Sequence, residues 1–210
     1  MGSVESITQI ISLSLGVAWA SGLNLYATIL VLGILGATGE TSLPLGLEIL
    51  SHPAVITVAA ILFIVEFVAD KIPAVDSLWD SFHTFIRIPA GALLAAATVV
   101  NLDPGVVFAA GLIGGTIAAG THATKAGTRV MVNASPEPVS NWTLSLGEDF
   151  AVIIGLWTAL HHPVIFLILL ALFIGLMVWL LPRIWGLVKK AFLKLRSFFS
   201  RARTPQEPTL

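Results

Sequence analysis

Long apolar segments, separated by short polar ones, dominate the chain. The clearest is 163–181, a run of 19 residues without a charge, close to the ~20 apolar residues that a helix needs to cross the hydrocarbon core. Segments 53–70, 104–119 and 142–160 are also largely apolar, and two of them begin at a proline, which the first turn of a helix tolerates. This pattern predicts a series of membrane-embedded helices.

Two further apolar stretches do not fit a simple span. Residues 6–36 are interrupted by Ser21-Gly22-Leu23-Asn24, so they form either one long tilted helix or two short helices that meet at a polar break. After Pro89, the 13 residues 89–101 reach about 20 Å, short of a core of about 30 Å, which favours a kinked or re-entrant element. The predicted fold is therefore all-α, a polytopic helical membrane protein with five to six membrane-embedded segments, some broken or re-entrant.

Composition supports a membrane location. The chain is 56% hydrophobic and 11% charged, with a mean hydropathy of +0.93, whereas a soluble domain has about 25% charged residues. The absence of cysteine excludes disulfides, thiolate metal sites and cysteine nucleophiles. No Lys or Arg precedes Lys71, so the N-terminus lacks the basic region of a cleavable signal and is expected to be retained.

The C-terminal region has a different character. Residues 184–200 place apolar side chains at helical spacing with basic ones between them, which predicts an amphipathic helix on anionic lipid headgroups. Seven of the 11 Lys and Arg residues lie between Arg183 and Arg203, so the positive-inside rule predicts a cytoplasmic C-terminus in the inner (plasma) membrane. The predicted organisation is a membrane domain over 1–183, this helix, and a disordered tail over 201–210. Nothing indicates a nucleic-acid partner, and a homo-oligomer is left open.

Charged side chains recur inside the apolar region at helical spacing. Charges at membrane depth cost several kcal/mol, so they usually pair with one another or line a polar cavity. The alternative is that they mark the boundary between membrane and water. The candidate substrate-binding centre consists of Asn24, Glu66, Asp70, Asp76, Asp80, His122, Lys125, Arg129, Glu148 and Asp149. Within the central region, acids outnumber bases, which points to a cation, protons or a zwitterionic solute.

A weak internal similarity relates two parts of the chain. Gly16, Gly22 and Asn24 have the same spacing as Gly114, Gly120 and His122. Each set predicts a helix that breaks at glycine before a polar side chain. Paired broken helices are typical of transporters.

Three strings of the sequence are distinctive: SGLNLYATILVLGILG, VEFVADKIPAVDSLWDSFHTFIRIPAGALLAA and GTHATKAGTRVMVNASPEPVSNWTLSLGED. In these strings the chain resembles a bacterial membrane family known as domain of unknown function four-one-two-six. The resemblance covers most of residues 10–160 and excludes the basic tail. It implies a shared membrane domain, but it carries no activity and no catalytic residue.

Three functions are compatible with these patterns. The first is a small transporter or channel-like protein whose polar centre holds a cation, protons or a small solute. The second is a membrane enzyme in which the Glu66/Asp70 and Asp76/Asp80 pairs hold Mg²⁺ against a lipid phosphate or diphosphate. The third is a structural scaffold whose charges only fix helix packing. No catalytic residue and no resident cofactor is predicted, and the metal-binding capacity is undetermined.

Overall fold

The protein is a helical bundle, described from a computed structural model over residues 2–133 and 138–201. These residues form seven α-helices and one 3-10 helix, and they contain no β-strand. The α-helices are α1 (Gly2–Leu23), α2 (Leu25–Thr38), α3 (Pro53–Ala69), α4 (Pro73–Ala97), α5 (Pro104–Asn133), α6 (Pro138–His161) and α7 (Pro163–Arg201). The 3-10 helix, Leu45–Ser51, precedes α3.

Four of the described helices are long and apolar enough to cross a membrane. They lie within α1 (Ser6–Leu23), α5 (Pro104–Val132), α6 (Val139–His161) and α7 (Pro163–Gly186). The 3-10 helix and α3 meet at a 70° bend, and counting them as one broken span gives five. The 14-residue α2 is apolar but shorter. The prediction of an all-α, multi-pass membrane protein is confirmed.

Helix α1 lies at the centre of the bundle. It contacts α4, α5, α6 and α7, and 56% of its apolar span is buried, against 11% of the span in α7. Val17, Ala18 and Ala20 of α1 are fully buried, whereas α7 exposes Ile168, Leu172 and other large apolar side chains. A polar residue at the end of α1 therefore lies in the interior, away from lipid.

The predicted break near Gly22–Asn24 is present. Asn24 alone separates α1 from α2, with the extended backbone angles φ −149° and ψ 102°. The two short helices of residues 6–36 are thus the correct alternative. Close packing requires Gly22 here, because a Cβ atom on it would lie 2.6 Å from the carbonyl oxygen of Ala118 on α5.

The prediction of a second break, near Gly120, is wrong. Helix α5 is continuous from Pro104 to Asn133. Gly120 instead lets α7 approach, since a Cβ atom there would lie 2.6 Å from the sulfur of Met177. Glycine occurs in membrane helices where two helices pack closely, as well as at breaks. The internal similarity therefore does not extend to the structure, because only its first copy contains a break.

Helix α4 continues through Pro89 to Ala97. The segment after Pro89 is therefore the second half of a 25-residue helix, and the alternative of a separate re-entrant element is not found.

Helix α7 continues through Pro182 to Arg201. Residues 184–200 are therefore helical, and they extend α7. Their position on a membrane surface stays a prediction. The tail beyond Arg201 lies outside the described residues.

Candidate functional site

Three buried basic side chains form the framework of a polar centre inside the bundle. They are Arg87 on α4 and Lys125 and Arg129 on α5. Arg87 forms a buried salt bridge with Glu66 of α3 and places Nη1 3.1 Å from Oδ1 of Asp80. The pair holds the end of α3 against α4, and the guanidinium is fully shielded from solvent.

The buried side chain of Lys125 is surrounded by oxygen atoms. Its ammonium nitrogen is 3.0 Å from the main-chain carbonyl oxygen of Leu23, 3.4 Å from Oε1 of Glu66, 3.2 Å from Oδ2 of Asp70 and 3.5 Å from Oε2 of Glu148. The lysine thereby joins the end of α1, the end of α3 and the middle of α6. Because Leu23 is the last residue of α1, the ammonium also neutralises the negative end of that helix.

Arg129, one turn further along α5, completes the centre. Its Nη2 atom is 2.5 Å from Oε2 of Glu148 and 3.2 Å from Oδ2 of Asp70, and its Nη1 atom is 3.5 Å from Oδ1 of Asp76. Nη1 also donates to the Oδ1 atom of Asn141. This network fixes α5, α6 and the turn between α3 and α4 relative to one another.

Asn24 connects the helix break to the same centre. Its Oδ1 atom accepts a hydrogen bond from the main-chain nitrogen of Ala27 at 2.9 Å, which caps α2. Its Nδ2 atom donates to Oδ1 of Asp149 on α6, also at 2.9 Å. The break is thus stabilised from both sides, by a cap on its own chain and by a carboxylate from another helix.

The two buried histidines have different capacities for protons. Nδ1 of His122 lies 3.1 Å from a nitrogen of Arg87, and since a guanidinium only donates, this atom must accept. The proton of the neutral ring is therefore assigned to Nε2, beside Thr84. Nδ1 of His83 faces the carbonyl oxygen of Trp79 and must donate, so its Nε2 accepts from the Tyr26 hydroxyl at 3.0 Å. A second proton on His83 would keep both contacts if that hydroxyl turned, whereas one on His122 would oppose Arg87.

The centre carries a surplus of acids. Six buried carboxylates face three buried permanent cations within the described residues, which gives a formal charge of −3 when the histidines are neutral. Four carboxylate oxygens are buried without a hydrogen-bond partner in the described chain: Oε2 of Glu66, Oδ1 of Asp70, Oδ2 of Asp80 and Oδ2 of Asp149. Acids at such a density repel, so cations or protons are needed for balance.

Lys71 lies close to the acids but forms its own contacts outside the salt-bridge network. Its ammonium lies 2.9 Å from the centre of the Phe67 ring and donates to the carbonyl oxygen of Phe67. Partial burial lowers the pKa of Lys71, an effect that the charges of Asp149 and Asp70 oppose. It lies at the edge of the cluster, in the turn between α3 and α4.

An apolar groove leads from the outside of the bundle to one of the acids. It has a volume of about 660 Å³ and lies between α1, α5, α6 and α7, with Leu23, Val132, Gly147 and Phe173 among its walls. Glu148 is the one ionisable side chain among its described lining residues. The Glu148 carboxylate therefore lies in the wall of a groove on the side of the bundle.

All ten residues proposed from the sequence lie in or against this one buried network, and the acids from separate helices do approach one another. Their role in binding a solute stays a prediction. The site predicted from the sequence did not include Arg87, Asn141, Tyr26 or Thr84. The spacing of Arg87 seven residues after Asp80 on α4 was the available signal for the first. The main-chain oxygen of Leu23 gave no signal at all.

The carboxylates do not form a preformed metal site. Within residues 2–133 and 138–201, no group of three or more His, Asp or Glu side chains is arranged to hold a metal ion.

A family model described as Domain of unknown function (DUF4126) matches residues 11–183 of the chain. No curated protein and no solved structure matches this chain.

Proposed function

We propose that this chain, which belongs to the DUF4126 family, is a small membrane transporter that moves a cation or protons through its buried charge network. The observation that carries the proposal is the surplus of acids, six carboxylates against three permanent cations in the described interior. A scaffold whose charges only fix helix packing needs no surplus. Uncompensated buried charge is strongly unfavourable, so its retention favours a role that uses it.

The sign of the surplus selects the class of solute. A net negative interior attracts cations and protons and repels anions. The carboxylate oxygens without hydrogen-bond partners, such as Oε2 of Glu66 and Oδ2 of Asp149, are acceptors that a proton or a cation would satisfy. Protons and monovalent cations therefore fit this centre better than phosphate-bearing or carboxylate-bearing solutes.

The break at Asn24 supports transport over a purely structural role. Transporters commonly place the ends of broken helices at the binding site, where free backbone groups meet the solute. Here the carbonyl oxygen of Leu23 points at Lys125, and the Asn24 side chain reaches Asp149. The apolar groove beside Glu148 places this acid at the edge of the centre, next to the side of the bundle.

The hypothesis of a lipid phosphate enzyme draws less support. Lys125 and Arg129 are the basic side chains that would have to hold the phosphates, and both are engaged by carboxylates in the described chain. The Glu66/Asp70 and Asp76/Asp80 pairs contact basic side chains in the places where Mg²⁺ would have to bind.

For the location we propose the inner (plasma) membrane with the C-terminus in the cytoplasm. The excess of Lys and Arg between Arg183 and Arg203 supports this orientation. The basic residues of 184–200 would then face anionic headgroups of the inner leaflet, so membrane lipids are the proposed partners of this region.

Purified protein in sealed liposomes tests the transport proposal. Imposed gradients of H⁺, Na⁺ and K⁺ are followed with a pH-sensitive dye inside the vesicles and with isotopic or ion-selective flux. We expect at least one gradient to dissipate faster than in empty vesicles, and Glu148→Gln to slow it at least tenfold. The matched control Glu48→Gln changes an exposed acid in the 3-10 helix and should transport like the parent. A parent indistinguishable from empty vesicles for all three ions contradicts the proposal.

A further inference from the structure

Asp149 is the one buried acid of the centre that forms no salt bridge within the described residues. Each of the other five contacts a buried arginine or lysine at 3.5 Å or less. The Asp149 carboxyl group is only 7% exposed, and its one hydrogen-bond partner in the described chain is the neutral amide of Asn24. Its Oδ2 atom is buried without a partner.

The orientation of the Asn24 amide determines which oxygen of Asp149 is left for a proton. The main-chain nitrogen of Ala27 can only donate, so the atom of Asn24 that it contacts at 2.9 Å is the oxygen Oδ1. The Nδ2 end of the amide therefore faces Asp149 and donates to its Oδ1 atom. The oxygen without a donor against it is Oδ2.

The charged side chains of neighbouring elements do not compensate an ionised Asp149. Those that act on it are Glu66 and Asp70 at the end of α3, Lys71 in the following turn and Lys125 of α5. The Lys125 ammonium already donates three hydrogen bonds to other oxygens, and a lysine has three donors. The Lys71 ammonium lies over an aromatic ring.

The remaining surroundings of Asp149 supply no base either. On α6 itself the adjacent acid, Glu148, is paired with Arg129. Helices α1 and α2 pack against α6 and have no charged residue within 6–38, while Tyr26 of α2 contacts His83. Helix α7 contributes apolar side chains to its contact with α6. A carboxyl group buried without a base is less costly as the neutral acid, so it takes up a proton.

A buried hydroxyl on the same helix face supports this placement. Ser145 precedes Asp149 by one turn on the same face of α6. It is fully buried, and its Oγ atom also has no partner in the described chain. Because a hydroxyl both donates and accepts, this face of α6 is chemically suited to the neutral and to the ionised form of an acid.

We propose that Asp149 holds a proton on Oδ2 in this structure and that it is the residue which binds and releases the transported proton. The inference rests on the proposed transport function and names its solute and the group that carries it. Binding forms one O–H bond at Oδ2 and removes one negative charge from the centre. Release restores the carboxylate, whose bond from Asn24 then becomes charge-assisted and stronger.

Infrared spectroscopy of the purified protein in lipid bilayers tests the protonation directly. A protonated carboxyl group has a C=O stretching band that a carboxylate lacks, and ¹³C labelling of the aspartate side chains distinguishes the five aspartates from the glutamates. We expect the band of a protonated aspartate in the parent at neutral pH. It should be absent from Asp149→Asn, a variant that keeps an oxygen for the Asn24 amide.

The matched controls are Asp80→Asn and Asp103→Asn. Asp80 is buried but paired with Arg87, and Asp103 is exposed, so both variants should keep the band. A band that survives in Asp149→Asn overturns the proposal, and so does a parent without the band. The second outcome needs no variant, so the proposal can fail even if Asp149→Asn does not fold.

Proton flux in liposomes distinguishes this proposal from the transport proposal. Asp149→Asn should slow the dissipation of an H⁺ gradient by about tenfold or more, whereas Asp103→Asn should transport like the parent. An H⁺ flux in Asp149→Asn equal to that of the parent overturns the role of Asp149 as the proton carrier, although transport itself would stand. A parent that shows the band but no flux contradicts the transport proposal and supports the protonated acid.

Discussion

The Nδ2 atom of Asn24 lies 2.9 Å from Oδ1 of Asp149, so the one extended residue between α1 and α2 is bonded to the middle of α6. The same side chain caps α2 through Ala27. One amide therefore holds a broken helix in shape and ties it to the acidic centre. This double role makes Asn24 sensitive to every change of its amide group.

We expect Asn24→Ala to lower the free energy of unfolding by about 1–3 kcal/mol, since it removes a helix cap and a buried hydrogen bond. Thermal unfolding in detergent measures the loss. Asn24→Asp keeps the cap but places a second carboxylate against Asp149, so its loss should be larger when both are ionised and smaller as the pH falls. Asn101→Ala, at an exposed position, is the control and should change stability by less than about 0.5 kcal/mol. Equal effects at positions 24 and 101 would contradict the capping argument.

Gly22 gives a prediction about helix packing. A Cβ atom at this position would lie 2.6 Å from the carbonyl oxygen of Ala118 and 2.7 Å from Cβ of Thr121. Gly22→Ala should therefore separate α1 from α5 and cost about 1–3 kcal/mol. Gly147→Ala on α6 meets no atom within 4 Å and should be neutral or stabilising by up to about 1 kcal/mol. The comparison is made on the same unfolding assay, and a stable Gly22→Ala protein would show that the two helices pack differently.

Glu148 forms a salt bridge with Arg129. Two substitutions of Glu148 distinguish the effect of losing its charge from the effect of losing a hydrogen-bond partner. Glu148→Gln keeps an oxygen for Arg129, whereas Glu148→Leu leaves part of the guanidinium without an acceptor. We expect Glu148→Leu to cost about 3 kcal/mol, the low end for a broken buried pair, because Asp70 still contacts Arg129. Glu148→Gln should cost less than half of that. Chemical denaturation of the two variants measures these losses in the free energy of unfolding. If Glu148→Leu were more stable than Glu148→Gln, the salt bridge would not be a stabilising contact.

The orientation of the chain can be tested in cells with a fused reporter. An alkaline phosphatase or fluorescent reporter placed after Leu210 should give the cytoplasmic readout, because seven basic residues follow Pro182. Replacing Lys189, Lys190, Lys194 and Arg196 by glutamine should weaken that preference. A periplasmic signal from the unmodified tail would contradict both the orientation and the proposed contact with anionic lipid.

The sequence predicts the helical class, most of the spans and the convergence of the charged residues. The reason is physical: an acid or base inside an apolar segment is too costly to face lipid, so Glu66, Lys125 and Glu148 must lie either in a shared interior or at the membrane boundary. The structure has them in the interior. The i, i+4 spacing of Lys125 and Arg129 then places both on one face of α5. Helix period and burial cost together account for this part, although they do not by themselves exclude the boundary alternative.

Other parts depend on tertiary contacts that leave no local signal. Gly22 and Gly120 have the same spacing to a following polar residue, yet only the first lies beside a break. The difference lies in their polar neighbours, since Asn24 caps its own helix while His122 is occupied by Arg87 and Thr84 of α4. The carbonyl oxygen of Leu23 joins the cluster only because α1 ends there. No side chain in the sequence indicates this contact.

The distribution of charge along the chain also constrains how the protein is made. The region of α3 and α4 contributes four buried acids, Glu66, Asp70, Asp76 and Asp80, but only one buried base, Arg87. The two compensating bases lie on α5, which is synthesised later. A nascent chain that ends before α5 would hold unmatched acids in the bilayer, where each costs several kcal/mol. Integration therefore becomes stable only when α5 arrives, and chains that stop near Asn101 should be extracted and degraded by the quality-control proteases of the membrane.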